Sequence, residues 1–190
     1  MPDVLGLDLG LATCGAARLT HDQQRPDTWV LRTTPDDYRP SYAGACDRIT
    51  HVTHWALSWA TTGTTLAVVE APSFASVHGM QHERAAVWWR VMAGLVRRDI
   101  PVATCPPGTL KRWATGKGNA SKQDMKRAVS ALWPGHGLAR VSEHEIDALA
   151  LAGVGAHWSG WDGPWFWISD STLKAVRWPD PRPSTTAHSA

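Results

Sequence analysis

Runs of apolar residues along the chain predict five strands. VLGLDLG (4–10) and CGAARL (14–19) are short apolar runs broken by glycines, a pattern typical of a β-hairpin. TWVLRTT (28–34) predicts a third strand, and LAVVE (66–70) and IPVATCP (100–106) predict two more. The fourth run is unusual because it ends on a carboxylate, which is costly to bury without a partner.

Helical spacing of apolar residues predicts long helices over 42–60 and 81–98. Two capping boxes, SKQD beginning at Ser121 and SEHE beginning at Ser142, predict the starts of two further helices. In the second box we expect Glu145 to fold back onto the backbone, which gives it a structural role. Strands followed by alternating strands and helices predict a mixed α/β sheet with helices on its faces.

The length of 190 residues suits one core domain with an appendage. After Ala156 the chain becomes rich in tryptophan, and then rich in proline, serine and threonine. We predict a main domain at 1–157 and a Trp-rich C-terminal extension at 158–178. The extension either packs as an appendage or contributes to a subunit interface. We expect the tail at 179–190 to be disordered.

Composition argues against several classes of protein. The three cysteines have no CxxC spacing, which disfavours both a disulfide framework and a zinc knuckle. No stretch is apolar enough to cross a membrane, and Asp3 stands where a signal peptide carries positive charge, so we expect a cytoplasmic protein. Lys and Arg exceed Asp and Glu by 19 to 17, a net charge of +2. A nucleic-acid partner must therefore be argued from local clusters of charge.

Three acids stand in apolar surroundings: Asp8 and Glu70 in strands, and Asp147 one turn inside a helix. Each alone has an ordinary explanation as a cap or a solvated side chain. If the two strands are neighbours, the like charges require either a bound proton or a cation, and oxygen ligands suit Mg²⁺ or Mn²⁺. His144 lies three residues before Asp147 on the same helix face, and Glu143, four before it, is the rival ligand.

Four segments together resemble the RuvC family of Holliday-junction resolvases, particularly its compact phage-borne members. In family order these segments are GLDLGLATCGAA, LAVVEAPSF, PPGTLKRWATGKGNASKQDMKRAV and HEIDALALA. The likeness runs from about residue 4 to residue 156, and the third and fourth segments are the more specific. It implies an RNase H-like fold, in which a mixed five-stranded sheet is flanked by helices, with the Trp-rich extension added.

The resemblance implies that Asp8, Glu70 and Asp147 are catalytic, metal-binding acids. His144 stands where the family usually has another acid, so it is a fourth ligand or a proton handler, or else it weakens the site. The implied reaction is metal-dependent hydrolysis of branched DNA by two Mg²⁺ or Mn²⁺ ions about 4 Å apart. The products would carry 5′-phosphate and 3′-hydroxyl ends. Paired nicks in a two-fold symmetric junction imply a homodimer.

A basic cluster before the last helix predicts the DNA contacts. The candidate DNA-binding residues are Lys111, Arg112, Lys117, Asn119, Ser121, Lys122 and, after the Glu70 strand, Phe74. The helix over 81–98, with Val87, Trp88, Met92 and Leu95 on its apolar face, forms either core or dimer interface.

Three other interpretations stay open at this point. The first segment also resembles the phosphate loop of actin-like ATPases and sugar kinases, although the second such loop is missing. The same fold and metal would also suit flaps, forks or RNA–DNA hybrids as substrates. Finally, a chain whose metal site is weakened by His144 would bind junctions without cutting them.

Overall fold

The computed structural model describes residues 1–21, 26–72, 80–165 and 167–179. Its sheet has five strands in the order β3-β2-β1-β4-β5. The strands are β1 (Asp3–Asp8), β2 (Thr13–Thr20), β3 (Pro26–Arg32), β4 (Thr64–Glu70) and β5 (Val102–Cys105). The first three pair antiparallel, whereas β4 runs parallel to β1 and β5 parallel to β4. This confirms the predicted mixed five-stranded sheet.

In the described residues, five α-helices flank the sheet. They are α1 (Tyr42–Ser58), α2 (Gln81–Val96), α3 (Pro107–Thr115), α4 (Lys122–Leu132) and α5 (Glu143–Trp158). Both predicted capping boxes are present, at Ser121 with Asp124 and at Ser142 with Glu145. Helix α3 was not predicted. Its signals are a proline at the first helical position and the left-handed Gly116 that ends it, within a segment too short to show helical periodicity.

Alternate residues of the central strands point to opposite faces, so the sheet has a core on each side. On one face, Leu5 and Val69 pack with helices α1 and α2. On the other, Val4 and Val68 pack with helices α3, α4 and α5. Val87 and Leu95 of α2 are buried as the spacing predicted, which makes them core residues.

Helix α5 lies directly against the sheet because two glycines leave room for it. A Cβ atom on Gly6 would meet the backbone oxygen of Ala148, and one on Gly15 would meet the backbone oxygen of His144. Gly6 and Gly15 lie on β1 and β2, across which the helix passes. The close approach brings the first turns of α5 next to the end of β1.

The segment after α5 packs onto the same core as helices α3 to α5. Trp161, Trp165, Leu173 and Val176 are buried there, and Arg177 pairs with Thr104 through its backbone. No helix in the described ranges is long and apolar enough to span a membrane.

Candidate active site

Two neighbouring parallel strands deliver the first pair of acids. Asp8 is the last residue of β1 and Glu70 the last residue of β4, and Leu7 and Val69 directly before them are partners in the register. Because the strands are parallel, both side chains reach the same edge of the sheet. The indole Nε1 of Trp88 donates a hydrogen bond of 3.0 Å to the backbone oxygen of Glu70, which fixes the end of β4. The sequence pattern had only assigned Trp88 to an apolar face.

The capping box at the start of α5 positions the other two candidates. Ser142 Oγ accepts from the backbone N–H of Glu145, and Glu145 Oε2 accepts from the backbone N–H of Ser142. Glu145 Oε1 also accepts from the hydroxyl of Thr28 at 2.9 Å, which ties the helix start to β3. The structural role predicted for Glu145 is therefore confirmed. With the helix start fixed, His144 lies in the first turn and Asp147 in the second.

Asp8 is the centre of the group. Its Oδ2 lies 2.6 Å from Nδ1 of His144, and its carboxyl group lies close enough to that of Glu70 to raise the pKa of Glu70. Two neighbouring carboxyl groups repel each other unless one of them is protonated. Asp147 lies close enough for its charge to act on Glu70 and His144. The structure therefore brings all four predicted residues into one neighbourhood.

The electrostatics of the group show an excess of negative charge. Burial, then the charges of Asp8 and Asp147, raise the pKa of Glu70 from 4.5 to about 8. Burial and the charge of Asp8 raise the pKa of Asp147 from 3.8 to about 6. The hydrogen bond to Asp8 raises the pKa of His144 above its ordinary 6.5, against the opposing effect of burial. With a pKa of about 8, Glu70 is the carboxyl group that keeps a proton at neutral pH.

Asp3, at the opposite end of β1, shows what an ordinary buried acid looks like in this fold. Its two carboxylate oxygens accept hydrogen bonds of 2.7 Å from the hydroxyls of Thr61 and Thr64. Asp8 is buried to a similar degree, with 7% of its surface exposed against 3% for Asp3. Its side-chain partners, in contrast, are titratable groups. Asp3, at one end of β1, is thus paired with neutral donors, whereas Asp8, at the other end, lies among ionisable side chains.

A divalent metal fits the chemistry of this donor set. Three carboxyl groups supply the oxygen ligands that Mg²⁺ and Mn²⁺ prefer. A proton on Glu70 relieves the same repulsion that a cation would relieve. Within the described ranges, however, no three His, Cys, Asp or Glu side chains are grouped so as to hold an ion. The fit is one of chemistry, and the side chains would have to rearrange around a metal.

Two of the predicted DNA contacts flank the acids. Lys111 on α3 is close enough for its charge to lower the pKa values of Glu70 and Asp147 against the raising effect of burial. Lys122 at the start of α4 forms an ion pair with Glu143 of α5. Glu143 was the rival candidate for the fourth metal ligand. In this structure its carboxylate is paired with Lys122.

The other predicted DNA contacts lie further along the same surface. Arg112, Lys117 and Asn119 are exposed in α3 and the loop that follows it. The hydroxyl of Ser121 lies 2.7 Å from Oδ2 of Asp124 and accepts from the Asp124 backbone N–H, so it serves as a cap. Phe74 lies outside the described residues.

The chain is similar in sequence to proteins of known family. The chain is 34% identical over 158 residues to the crossover junction endodeoxyribonuclease RuvC of Salinispora arenicola, covering 78% of this chain and 84% of that protein. It is 31% identical over 159 residues to the RuvC of Nocardia farcinica, covering 78% of each chain. No family model matches the chain.

Solved structures show the same fold. Thermus thermophilus RuvC superposes with a TM-score of 0.66 at 20% identity, covering 83% of this chain and 95% of that one. The same protein in complex with a Holliday junction substrate gives a TM-score of 0.67, covering 84% and 96%. The chain thus has the RNase H-like fold. The chain belongs to the RuvC family of crossover junction endodeoxyribonucleases.

Proposed function

We propose that this chain resolves four-way DNA junctions by metal-dependent phosphodiester hydrolysis, with Asp8, Glu70, His144 and Asp147 as its catalytic residues. The observation that carries the proposal is the placement of Asp8 and Glu70 at the ends of adjacent parallel strands, with His144 bonded to Asp8 from α5. A structural acid in this fold, such as Asp3, is satisfied by hydroxyl donors instead. Membership of the family supports the assignment of the reaction.

Asp8, Glu70 and Asp147 would hold the metal, and His144 is proposed as a further ligand or a proton carrier. Bound Mg²⁺ or Mn²⁺, proposed as two ions, would supply Lewis acidity toward the attacking water and the departing 3′-oxygen. The side chains of the chain itself do the positioning. Asp8 holds the imidazole of His144 through Nδ1, which leaves Nε2 to hold or move a proton at a reacting oxygen. We propose 5′-phosphate and 3′-hydroxyl products.

The DNA would approach across the surface of α3 and α4. Lys111 and Lys122 lie beside the acids, and Arg112, Lys117 and Asn119 extend the basic surface away from them. A phosphate that binds Lys122 competes with Glu143 for the ammonium group. We propose these five residues as backbone contacts, which position the junction without reading its sequence. The role that we assign to Ser121 is the cap of α4.

The chain would act as a homodimer through helix α2. Trp89 and Val96, seven residues apart on the same side of the helix, have 66% and 62% of their surface exposed. Two apolar side chains at that spacing form a self-complementary stripe of the kind that a two-fold interface uses. The sequence pattern had left Val87 and Leu95 open as either core or interface, and the structure buries both in the core. We place the enzyme in the cytoplasm of a bacterial or phage-infected cell.

The test is incubation of the chain with a synthetic four-way junction in Mg²⁺, with mapping of the cleavage positions. We expect two symmetric nicks, and little cleavage of a linear duplex of the same sequence. Asp147→Asn should abolish nicking, whereas Glu143→Gln on the same helix should retain it. Binding without nicking would indicate the junction-binding alternative. Faster cleavage of flaps, forks or RNA–DNA hybrids would change the substrate.

A further inference from the structure

A cavity of about 350 Å³ lies beside the acid cluster, on the side of α1 and α2. It is lined by the turn at 10–13 between β1 and β2, by Arg48, Met80 and Arg84, and by His144. His144 also bonds to Asp8. A ligand in the cavity would therefore be separated from the proposed catalytic acids by the side chain of His144. The candidate DNA contacts on α3 and α4 do not line it.

Arg48 is fixed in this cavity by the backbone around it. Only 4% of its surface is exposed. Its Nε donates to the hydroxyl of Thr33 at 3.0 Å, and its Nη2 donates to the backbone oxygen of Thr33 at 3.1 Å. The Thr33 hydroxyl donates in turn to the backbone oxygen of Leu11, which connects Arg48 to the lining turn. Among the described residues, the third nitrogen, Nη1, has one partner, the sulfur of Met80 at 3.9 Å.

The buried guanidinium has no anionic partner at ion-pair distance in the described part of the chain. Asp37, which feels its charge, is exposed and accepts from the backbone N–H of Thr34. The ring of Tyr38 lies 6.0 Å from the guanidinium carbon. Arginine stays protonated in proteins, so its burial is costly unless an anion pairs with it. Arg84 adds a second guanidinium to the same lining.

We propose that Arg48 and Arg84 bind a backbone phosphate of the cut DNA strand. This phosphate lies next to the one at which the strand is cut. The inference rests on the proposed junction cleavage, and it assigns a second phosphate site on the opposite side of the acids from Lys111 and Lys122. The planar fork of arginine suits the oxygens of a phosphate, and Nη1 of Arg48 has no oxygen acceptor within the described part of the chain. Two phosphates gripped on either side of the acids would hold the strand in register with them.

The test couples a protein variant to a DNA variant. Arg48→Met removes the cation, and a series of junctions replaces single phosphates near the cut with neutral methylphosphonates. Dissociation constants are measured in EDTA, so that no cleavage occurs. We expect Arg48→Met to weaken binding of the unmodified junction by about tenfold or more, the usual effect of losing a charged hydrogen bond. On the one junction whose contacted phosphate is already neutral, the same variant should change binding by less than about twofold.

Two further variants keep the test decisive. Arg97→Met removes the same charge at the exposed end of α2, far from the cavity, and should change no dissociation constant by more than about twofold. Because Arg48 bonds to Thr33, Arg48→Met can destabilise the fold. A thermal melt detects this, and Arg84→Met then replaces it in the same cycle.

The outcomes separate this inference from the proposed function. If the wild type binds the junction but the effect of Arg48→Met is the same on every modified junction, the phosphate site is wrong and junction binding stands. If the wild type binds no branched DNA, the proposed function fails. The cavity is then judged by titration with inorganic phosphate, followed through the NMR signal of Arg48 Nε–H. A saturable shift supports the site and its absence overturns it.

Discussion

Helix α5 carries a histidine–aspartate pair near each end, and the two pairs consist of the same two residue types. Near the start, Nδ1 of His144 lies 2.6 Å from Asp8. In the last turn, Nε2 of His157 lies 3.1 Å from Asp170 in the C-terminal segment. In the first pair the acid is the buried partner, with 10% of its side chain exposed against 37% for the histidine. In the second the histidine is buried, with 11% exposed against 93% for the acid.

The difference in burial sets opposite protonation states. The buried carboxylate of Asp8 raises the pKa of His144. Burial lowers the pKa of His157, and the exposed Asp170 offsets this only in part. The Nε1 of Trp113 also donates to Nδ1 of His157 at 3.1 Å, which requires that nitrogen to be unprotonated. His157 is therefore a neutral relay between α3 and the C-terminal segment, whereas His144 favours the charged form.

The proposed catalytic pair and the structural pair differ in their surroundings. In the structural pair both nitrogens of the imidazole have fixed partners. In the proposed catalytic pair Asp8 bonds to His144, and its charge also acts on Glu70 and Asp147. Perturbed titration marks a functional site when the surrounding charges are unbalanced, as they are around Asp8.

The largest expected effect distinguishes the two aspartates. Asp8→Asn removes the central carboxylate of the proposed metal site, so we expect the rate of junction nicking to fall by about a thousandfold or more. Asp170→Asn makes the same change in the structural pair and should leave the rate within about twofold. The measurement is single-turnover nicking of a four-way junction in Mg²⁺.

A thermal melt of each variant shows whether a loss of nicking reflects unfolding of the protein. Asp8→Asn removes a like charge near Glu70 but also weakens the partner of His144, and because these effects oppose each other its thermal stability in EDTA should stay close to that of the wild type. A stable Asp8→Asn protein that still nicks at the wild-type rate would refute the assignment of the site.

The second effect concerns the raised pKa of Glu70. Between about pH 4.5 and about pH 8 the folded protein keeps a proton on Glu70 that the unfolded chain releases. The folded state therefore binds more protons, and its stability falls as the pH rises through this window. We expect a loss on the order of 2 to 4 kcal/mol in EDTA, measured by denaturant unfolding from pH 5 to pH 8.5.

Two controls sharpen this prediction. Glu70→Gln cannot ionise, so most of the loss between pH 5 and pH 8.5 should disappear. Mg²⁺ should stabilise the wild type more at pH 8.5 than at pH 5, because the ion binds the ionised carboxylates. Equal slopes for the wild type and Glu70→Gln would show that the acids around Asp8 do not repel each other as the structure indicates.

Much of this arrangement could be predicted from the sequence because local rules determined it. The strands follow apolar runs, and the capping boxes at Ser121 and Ser142 begin their helices where predicted. The acids Asp8 and Glu70 were identified because each interrupts an apolar run at its end. Their adjacency needed only the expectation that the two strands are neighbours, which the parallel pairing confirms.

The features that the sequence did not reveal depend on contacts between distant segments. Arg48 looks like any arginine on an amphipathic helix, and its burial follows from the loop that places Thr33 beside it. The exposed apolar stripe of α2, formed by Trp89 and Val96, was not predicted. When a helix has two apolar faces, the spacing of apolar residues does not determine which face packs against the core. The relay through His157 joins three segments that no local pattern connects.

The smallest expected effect tests that relay with two matched tryptophans. Trp113 and Trp133 are both buried and both pack near Trp165. Nε1 of Trp113 donates to His157, whereas Nε1 of Trp133 has no hydrogen-bond partner among the described residues. Phenylalanine at either position loses similar volume, but at 113 it also loses a hydrogen bond. We expect Trp113→Phe to be less stable than Trp133→Phe by about 1 kcal/mol, measured by urea unfolding at pH 7.5.

The titration of His157 decides whether the difference comes from the hydrogen bond. The folded pKa of His157 lies below 6.5, so its neutral form adds stability that is present above pH 6.5 and is lost as the pH falls. Without the Trp113 donor, Nδ1 can accept a proton more easily, so the pKa of His157 measured by NMR should rise in Trp113→Phe and stay constant in Trp133→Phe. Equal stability and an unchanged pKa of His157 in both variants would show that His157 contributes only packing. The contrast in protonation state between His144 and His157 would then be refuted.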